Sequence, residues 1–330
     1  MHKIIKTKIL SYKRESIIKA SNLLNDNELV AFPTETVYGL GGSAVSNAAV
    51  AKIFAAKSRP KYNPLIVHIA NKQEVHDWAF VPKQAQILID SFWPGPLTLV
   101  LNQKDANSSL ASLVTGNLGT IAIRLPMHAT ARALIKEFGF PIAAPSANIS
   151  GRVSPTRAKD VLSNLDGRIS ALIKGGNCSI GVESTIVSFA NEKPVLLRPG
   201  GIPANIISEK MGEVLVNVTE LLLNENKILA PGMMESHYSP ACKLKLNETN
   251  PKSGQLFLGF GNMPKNTLGL NLSPNGILKE AAANLFASLT DIDTMASLMK
   301  IKTVHVSPIP NYDLGITIND RLKRAAAPKS

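Results

Sequence analysis

Apolar positions along the chain fall into short continuous runs that alternate with stretches where they recur every three or four residues, the pattern of strands alternating with helices. The stretch from Leu29 to His68 shows it most fully. Leu29-Val30-Ala31-Phe32 is a brief apolar run bounded by turn residues, which predicts a strand. A polar loop with Thr34, Glu35, Thr36 and Tyr38 follows, then the glycines from Gly39 to Gly42. Val50, Ile53 and Phe54 next fall on one helical face behind Ser46, a suitable N-cap. A second apolar run over 65–69 carries His68. On this pattern the polar loop joins a strand to a helix at the carboxyl edge of a sheet, where open α/β folds hold their ligands. The glycines would let backbone approach a bound group closely. The helix delivers Lys57 and Arg59 just ahead of Pro60, two cations suited to seating an anion such as a phosphate.

The rest of the chain extends the alternation. A strand is predicted over 4–10, and a helix carrying Ile17, Ile18, Leu23 and Leu24 after it. Further on come a helix over 82–92, a rigid turn Trp93-Pro94-Gly95-Pro96, strands over 97–101 and 121–125, a helix over 130–138 and a short strand over 142–144. That strand runs into Pro145-Ser146-Ala147-Asn148, and Ser154-Pro155-Thr156 opens another helix. Strands then follow one another over 171–173, 184–189 and 195–198. Alternation followed by successive strands predicts an α/β domain with a twisted mixed sheet over 1–218. Residues 219–250, which hold Pro231-Gly232-Met233 and His237-Tyr238-Ser239-Pro240, lack periodicity and are expected to be a linker, either disordered or a functional lid. The pattern resumes with a strand over 256–260, helices over 278–289 and 294–299, a strand over 303–307 and a helix over 316–326. Residues 251–330 therefore predict a small, Rossmann-like three-layer α/β domain.

Charge narrows the partners. With 36 basic against 24 acidic residues the chain carries +12, which favours nucleotides, RNA or anionic surfaces, although a solvated basic surface has the same composition. Aromatic residues, at 5%, are too sparse for repeated base-stacking platforms. Cys178 and Cys242 have neither the number nor the spacing for a disulfide framework or a zinc site, so no metal is assigned to protein ligands. No run is long enough to span a membrane, and residues 1–24 lack the unbroken apolar centre of a secretory signal; the expectation is a cytoplasmic protein without membrane contact.

The phosphate-binding motifs fail in turn. Gly39-Leu40-Gly41-Gly42 has polar residues between strand and first glycine, and no acid ends the run over 65–69, so a dinucleotide fingerprint is not met. Gly259-Phe260-Gly261 reaches Pro264 instead of a third glycine, and no Gly-Lys-Ser/Thr loop exists. A triphosphate would have to be held by scattered groups: Lys57, Arg59, Arg124, Arg198, Ser146 and Asn148 all stand at element ends that one sheet edge could gather. Singly each has an ordinary reading, as a solvated helix end, a surface ion pair or a turn-completing hydroxyl, and His68 as a half-buried core histidine. No nucleophile elbow and no carboxylate cluster is present. Cations, hydroxyls and amides suit transfer at phosphorus, with magnesium carried mainly on substrate phosphates.

Taken together, Pro33-Thr34-Glu35-Thr36-Val37-Tyr38-Gly39-Leu40-Gly41, Lys57-Ser58-Arg59-Pro60, Asn63-Pro64-Leu65 with His68, Trp93-Pro94-Gly95-Pro96-Leu97-Thr98, Ile123-Arg124-Leu125-Pro126, Pro145-Ser146-Ala147-Asn148, Glu183-Ser184-Thr185 and Leu197-Arg198-Pro199-Gly200 resemble the YrdC-like family of threonylcarbamoyl-AMP synthases. The linker motifs and the added C-terminal domain are similar to its longer, two-domain form. The resemblance implies a nucleotidyltransferase that makes threonylcarbamoyl-AMP and pyrophosphate from L-threonine, bicarbonate and ATP. That product serves threonylcarbamoyladenosine modification of tRNA beside the anticodon, through downstream threonylcarbamoyl-transferase proteins. It also implies roles. Thr36, His68, Arg124, Ala144 and Ser184 match threonine positions; Arg59, Asn63, Thr120, Ser146, Ser154 and Arg198 match ATP positions. Lys57 and Arg59 face Ser146 and Asn148 in the family's catalytic signature, and Tyr238 matches a linker residue that closes over ATP, within a lid at 230–240. Ser58 stands where glycine is common. Replacing Lys57 or Arg59 is expected to cut turnover with little loss of stability, because exposed element ends carry few packing contacts. Two other readings compete: an RNA-binding or ribosome-assembly module, which needs no threonine, and a carbamoyl-transfer maturation protein, which would carry cysteine-rich zinc segments.

Overall fold

The computed structural model describes residues 6–60, 63–104, 109–217, 238–263 and 267–328. Residues 218–237, which take in most of the lid expected at 230–240, lie outside these residues.

Eleven strands form one large sheet: β1 (Lys8–Leu10), β2 (Val30–Phe32), β3 (Gly39–Ser43), β4 (Ile66–His68), β5 (Leu97–Asn102), β6 (Thr120–Arg124), β7 (Ile142–Ala143), β8 (Ala171–Ile173), β9 (Thr185–Ser188), β10 (Val195–Arg198) and β11 (Val216–Asn217). Their order is β1-β8-β2-β3-β7-β4-β6-β5-β9-β10-β11, and parallel pairs such as β4/β6 and β5/β9 mix with antiparallel ones such as β2/β3 and β5/β6. The mixed α/β sheet predicted from the sequence is thus present. β4 and β6 are parallel and adjacent with His68 opposite Arg124, which puts both side chains at one strand-end edge. A core spanning Leu40, Ile53, Leu65, Leu99 and Ile123 fixes this arrangement.

One expectation near the centre is overturned. The glycines after Tyr38 are strand β3, paired antiparallel with β2, so Pro33 to Tyr38 is a hairpin turn and not a strand-to-helix loop. The glycines serve packing: a Cβ on Gly41 would lie 2.7 Å from the Phe32 ring and 3.0 Å from Ile142. Helix Asn47–Lys57 does start at Ser46, whose hydroxyl accepts from Ala49 N at 3.2 Å. It ends at Ser58 in the left-handed region, φ +52°, the conformation for which glycine is the usual C-cap.

The second sheet has four parallel strands, β12 (Lys243–Lys245), β13 (Leu256–Gly259), β14 (Gly269–Asn271) and β15 (Thr303–Val306), in the order β12-β15-β13-β14. β12 falls inside the 219–250 stretch expected to be linker, so this sheet begins before residue 251. The two short helices expected over 278–289 and 294–299 are one helix, Leu278–Leu298. Thr290, which falls between the two expected segments, and Thr294, expected to open the second, donate their hydroxyls to Phe286 O and Thr290 O and stay within it. Helix Leu314–Ala326 packs against this long helix.

The small-sheet unit is joined tightly to the large one. Gly181, at φ +77°, abuts helix Leu278–Leu298 so closely that a Cβ would lie 2.4 Å from Ala282 O and Ala283 Cα. Arg157 pairs with Asp291 at 2.6 Å, and the buried Thr317 hydroxyl donates to Gly200 O at 2.9 Å. Val37 and Val182 of the large-sheet unit belong to the second unit's apolar cluster.

Candidate active site

Thr34 organises the hairpin turn between β2 and β3. Its hydroxyl accepts from Thr36 N and Val37 N, both at 3.2 Å, and donates to Val37 O at 2.6 Å. The turn thereby holds Glu35 and Thr36 against the end of β6. Arg124 donates through Nη1 to Thr36 Oγ1 at 2.9 Å, through Nε to Gly95 O at 3.2 Å, and through Nη2 to Glu35, with which it forms an ion pair. Both members are nearly solvent-free, at 4% and 2% exposure, so the pair must be satisfied on all sides. Glu35 does so by also accepting from Met127 N at 3.1 Å.

His68 sits beside this pair. Its Nδ1 lies 3.2 Å from Ile66 O, within hydrogen-bond distance of that carbonyl in the Nδ1-protonated tautomer. Burial and the neighbouring Arg124 charge lower its pKa to about 3, so the ring is neutral at physiological pH and is a poor proton acceptor.

The opposite wall begins at helix Asn47–Lys57. Lys57 is 1% exposed, and its Nζ donates to Ser146 O, Asn148 O (2.7 Å) and Asn148 Oδ1 (3.3 Å). Three oxygens match the three N–H groups of an ammonium. Burial and the Arg59 charge nevertheless push its pKa well below the usual lysine value. The loop it grips is also stitched to β3, through Leu40 N to Pro145 O at 2.7 Å and Ala147 N to Tyr38 O at 2.8 Å. Arg59 donates to Asn63 O (3.3 Å) and Pro64 O (3.2 Å). Burial, with the Arg198 charge adding to it, brings its pKa to about 10, which leaves it cationic. Arg198 donates to Ser184 O (2.9 Å) and Ser184 Oγ (3.2 Å), and that hydroxyl is 2.7 Å from Thr98 Oγ1. Burial alone would raise the Glu183 pKa, but the charges of Arg321 and Arg198 and the bond from Ser154 hold it at about 2.

A pocket with about 50 Å³ of free space lies between these walls. Of the residues singled out in the sequence, Thr36, Arg59, His68, Arg124, Ala144, Ser146, Ser184, Arg198 and Tyr238 line it. Lys57 and Asn148 stand behind the wall and shape the Ser146 loop. This overturns the view of Lys57 as an exposed helix end whose loss would cost little stability. Ser154 is one bond away, donating to Glu183 Oε1 at 2.7 Å. Asn63 is buried beside Arg59, its Oδ1 without a hydrogen-bond partner among the described residues. Thr120 is at the far end of β6 from Arg124 and outside the lining.

Four contributors escaped sequence reasoning: Thr34, Glu35, Glu183 and Arg321. Thr34, Glu35 and Glu183 stood inside recognised motifs, and an acid amid so many basic residues was the available signal. Arg321 had none, since it lies in a basic C-terminal stretch. Among the described residues no three His, Cys, Asp or Glu side chains gather as a metal set, and the carboxylates of Glu35 and Glu183 are committed to arginines. A protein-held metal therefore does not fit this pocket. No described helix is long and apolar enough to cross a membrane.

A family model described as "Telomere recombination", for the Sua5, YciO and YrdC proteins, matches residues 22–200, and one described as the threonylcarbamoyl-AMP synthase C-terminal domain matches 206–327. The threonylcarbamoyl-AMP synthase of Bacillus subtilis (strain 168) is 41% identical, covering 96% of this chain and 94% of that protein. The chain belongs to the threonylcarbamoyl-AMP synthase family. The synthase of Pyrococcus abyssi is 36% identical over 93% of each chain. A crystal structure of P. abyssi Sua5 complexed with L-threonine superposes with a TM-score of 0.88 at 35% identity, covering 97% of this chain and 98% of that one. As in the threonylcarbamoyl-AMP synthases, the chemistry is that of an ATP-using nucleotidyltransferase serving tRNA modification.

Proposed function

We propose that this pocket forms threonylcarbamoyl-AMP and pyrophosphate from L-threonine, bicarbonate and ATP. The observation that carries the reading is the convergence of Arg59, Arg124 and Arg198, three distant cations, on one pocket that also holds a neutral histidine and the hydroxyls of Thr34, Thr36, Ser146 and Ser184. Arg124 takes the threonine carboxylate, with Thr36, His68, Ala144 and Ser184 around the rest of the amino acid. A P. abyssi relative was crystallised with L-threonine, which supports an amino-acid subsite here. Arg59, Asn63, Thr120, Ser146, Ser154 and Arg198 serve ATP, and the orphaned Asn63 Oδ1 is an acceptor suited to a ligand donor. Lys57 and Asn148 keep the Ser146 loop in place.

In the reaction bicarbonate takes up a proton and releases water to give carbon dioxide, to which the threonine amine adds, losing a proton to give a carbamate. A carbamate oxygen then attacks the α-phosphorus in line, and pyrophosphate leaves. No covalent enzyme intermediate forms, and the buried arginines neutralise the developing charge. Magnesium accompanies the triphosphate. With its pKa at about 3, His68 orients the substrate through its ring nitrogens and takes no proton. Residues 1–218 hold most of the pocket, and the added domain, whose first strand β12 (Lys243–Lys245) already lies within 219–250, follows; Tyr238 closes over ATP. The product passes to a downstream transferase that modifies tRNA.

The test is incubation with radiolabelled bicarbonate, L-threonine, ATP and magnesium. Threonine-dependent label in an adenylate, with matching pyrophosphate, is expected. Pyrophosphate release indifferent to threonine refutes the reading.

A further inference from the structure

The guanidinium of Arg321 comes from helix Leu314–Ala326 of the small-sheet unit, yet it reaches Glu183 and Tyr238 of the pocket lining and Pro199 beside Arg198. It is fully buried, at 0% exposure. Nε donates to Glu183 Oε2 at 2.9 Å, Nη2 donates to Pro199 O at 2.9 Å, and Nη1 bonds Asp320. Its carbon centre lies 5.3 Å over the Tyr238 ring, and that ring stacks on Phe286 at 5.2 Å and 28°. The linker tyrosine is thus packed between an arginine and a phenylalanine of the second unit.

The positions Arg321 touches are informative. Glu183 precedes Ser184, which holds Arg198, and Pro199 follows Arg198 directly. The other oxygen of Glu183 takes the Ser154 hydroxyl. Arg321 therefore braces Tyr238, Ser154 and Arg198 together. By contrast, the partners of Arg124, Thr36 and His68 among the described residues all come from the large-sheet unit. Docking of the two units does not require this arginine, since Gly181, Thr317 and the Arg157–Asp291 pair already join them. A buried charge is a costly way to fill an interface that apolar side chains could fill.

We infer that Arg321 is a positioning residue for the nucleotide half of the pocket, acting through Glu183 and Tyr238, so that the small-sheet unit completes the ATP subsite and leaves the threonine subsite to the large one. The inference rests on the division of ligands proposed above.

The test uses the full chain in three forms: wild type, Arg321→Lys, and the charge-neutral double variant Arg321→Met with Glu183→Gln. Thermal unfolding checks that each is folded, and calorimetric titration reads ATP and L-threonine affinity separately. Lysine keeps a cation near Glu183 but loses the planar fork, so ATP affinity should fall about tenfold while threonine affinity stays within about twofold. The double variant should also bind ATP weakly, because Tyr238 has lost its cation. A folded Arg321→Lys protein with unchanged ATP affinity, or with both affinities falling together, overturns the inference. So does a double variant with wild-type ATP affinity, which would show that Arg321 only neutralised Glu183. The adenylate assay on the wild type is a separate readout: protein that binds ATP but forms no threonylcarbamoyl-AMP defeats the functional reading, while the titrations still judge Arg321.

Discussion

Two buried arginine–carboxylate pairs wall the pocket, and they differ in what holds them. Arg124 and Glu35 lie on β6 and on the hairpin turn after β2, within one sheet and against one core. Arg321, on helix Leu314–Ala326, and Glu183, in the loop before β9, come from different units and meet only because the two dock. The first pair has the rigidity of a fold interior; the second is as firm as the interface that creates it. The threonine subsite proposed on the first pair is therefore expected to be preformed, whereas the nucleotide subsite proposed on the second would depend on how the two units dock.

The largest effect should come from breaking the first pair. Arg124→Ala leaves Glu35 buried and unpaired, and is expected to cost about 3–5 kcal/mol of stability, read by urea denaturation. Turnover should fall by at least about a hundredfold. Adding Glu35→Gln should recover much of the stability and none of the turnover, which separates the charge balance of the wall from its grip on substrate. A fully active double variant would remove Arg124 from the threonine subsite.

A middle-sized effect is expected at Lys57, which stands behind the nucleotide wall. Lys57→Met leaves Ser146 O and Asn148 O without their donor, at a cost of about 2–3 kcal/mol in denaturant unfolding. ATP affinity should weaken more than threonine affinity. Unchanged stability would restore the exposed-end view that the structure rejects.

The smallest effect concerns pH. The His68 pKa of about 3 lies below its ordinary 6.5, so the unfolded chain takes up the proton first. The stabilising contribution is complete above pH 6.5 and is lost as pH falls toward 3, with a slope of at most about 1.4 kcal/mol per unit. Glu183, at about 2 against 4.5, adds its own loss only below pH 4.5. Between 6.5 and 4.5 the two halves are thus distinguishable: His68→Gln should flatten the stability profile there, and a profile identical to wild type would contradict the buried neutral ring.

Much of the site was legible because motif residues at strand ends have few places to go. Arg59, Arg124, Ser146 and Arg198 stood at element ends in the sequence, and the sheet gathered them into one pocket. Local patterns misled where packing decided. The glycines from Gly39 onward have a loop's composition, but the Phe32 ring needs their missing side chains in a strand. Residues 290–293 separate two expected helices, yet the hydroxyls of Thr290 and Thr294 bond back to one continuous helix. β12, only three residues long with its lysines exposed, carries too weak a pattern to mark itself.

The order of elements, the chemical character of the pocket and many of the residues that line it were written in the chain, because alternation of apolar positions and the ends of runs are local properties. Which carboxylate neutralises which arginine was not. Glu35 finds Arg124 and Glu183 finds Arg321 across 89 and 138 residues of sequence; the first pairing exists only once the hairpin turn and β6 lie in one packed sheet, the second only once the two units have docked and water has been driven from between them.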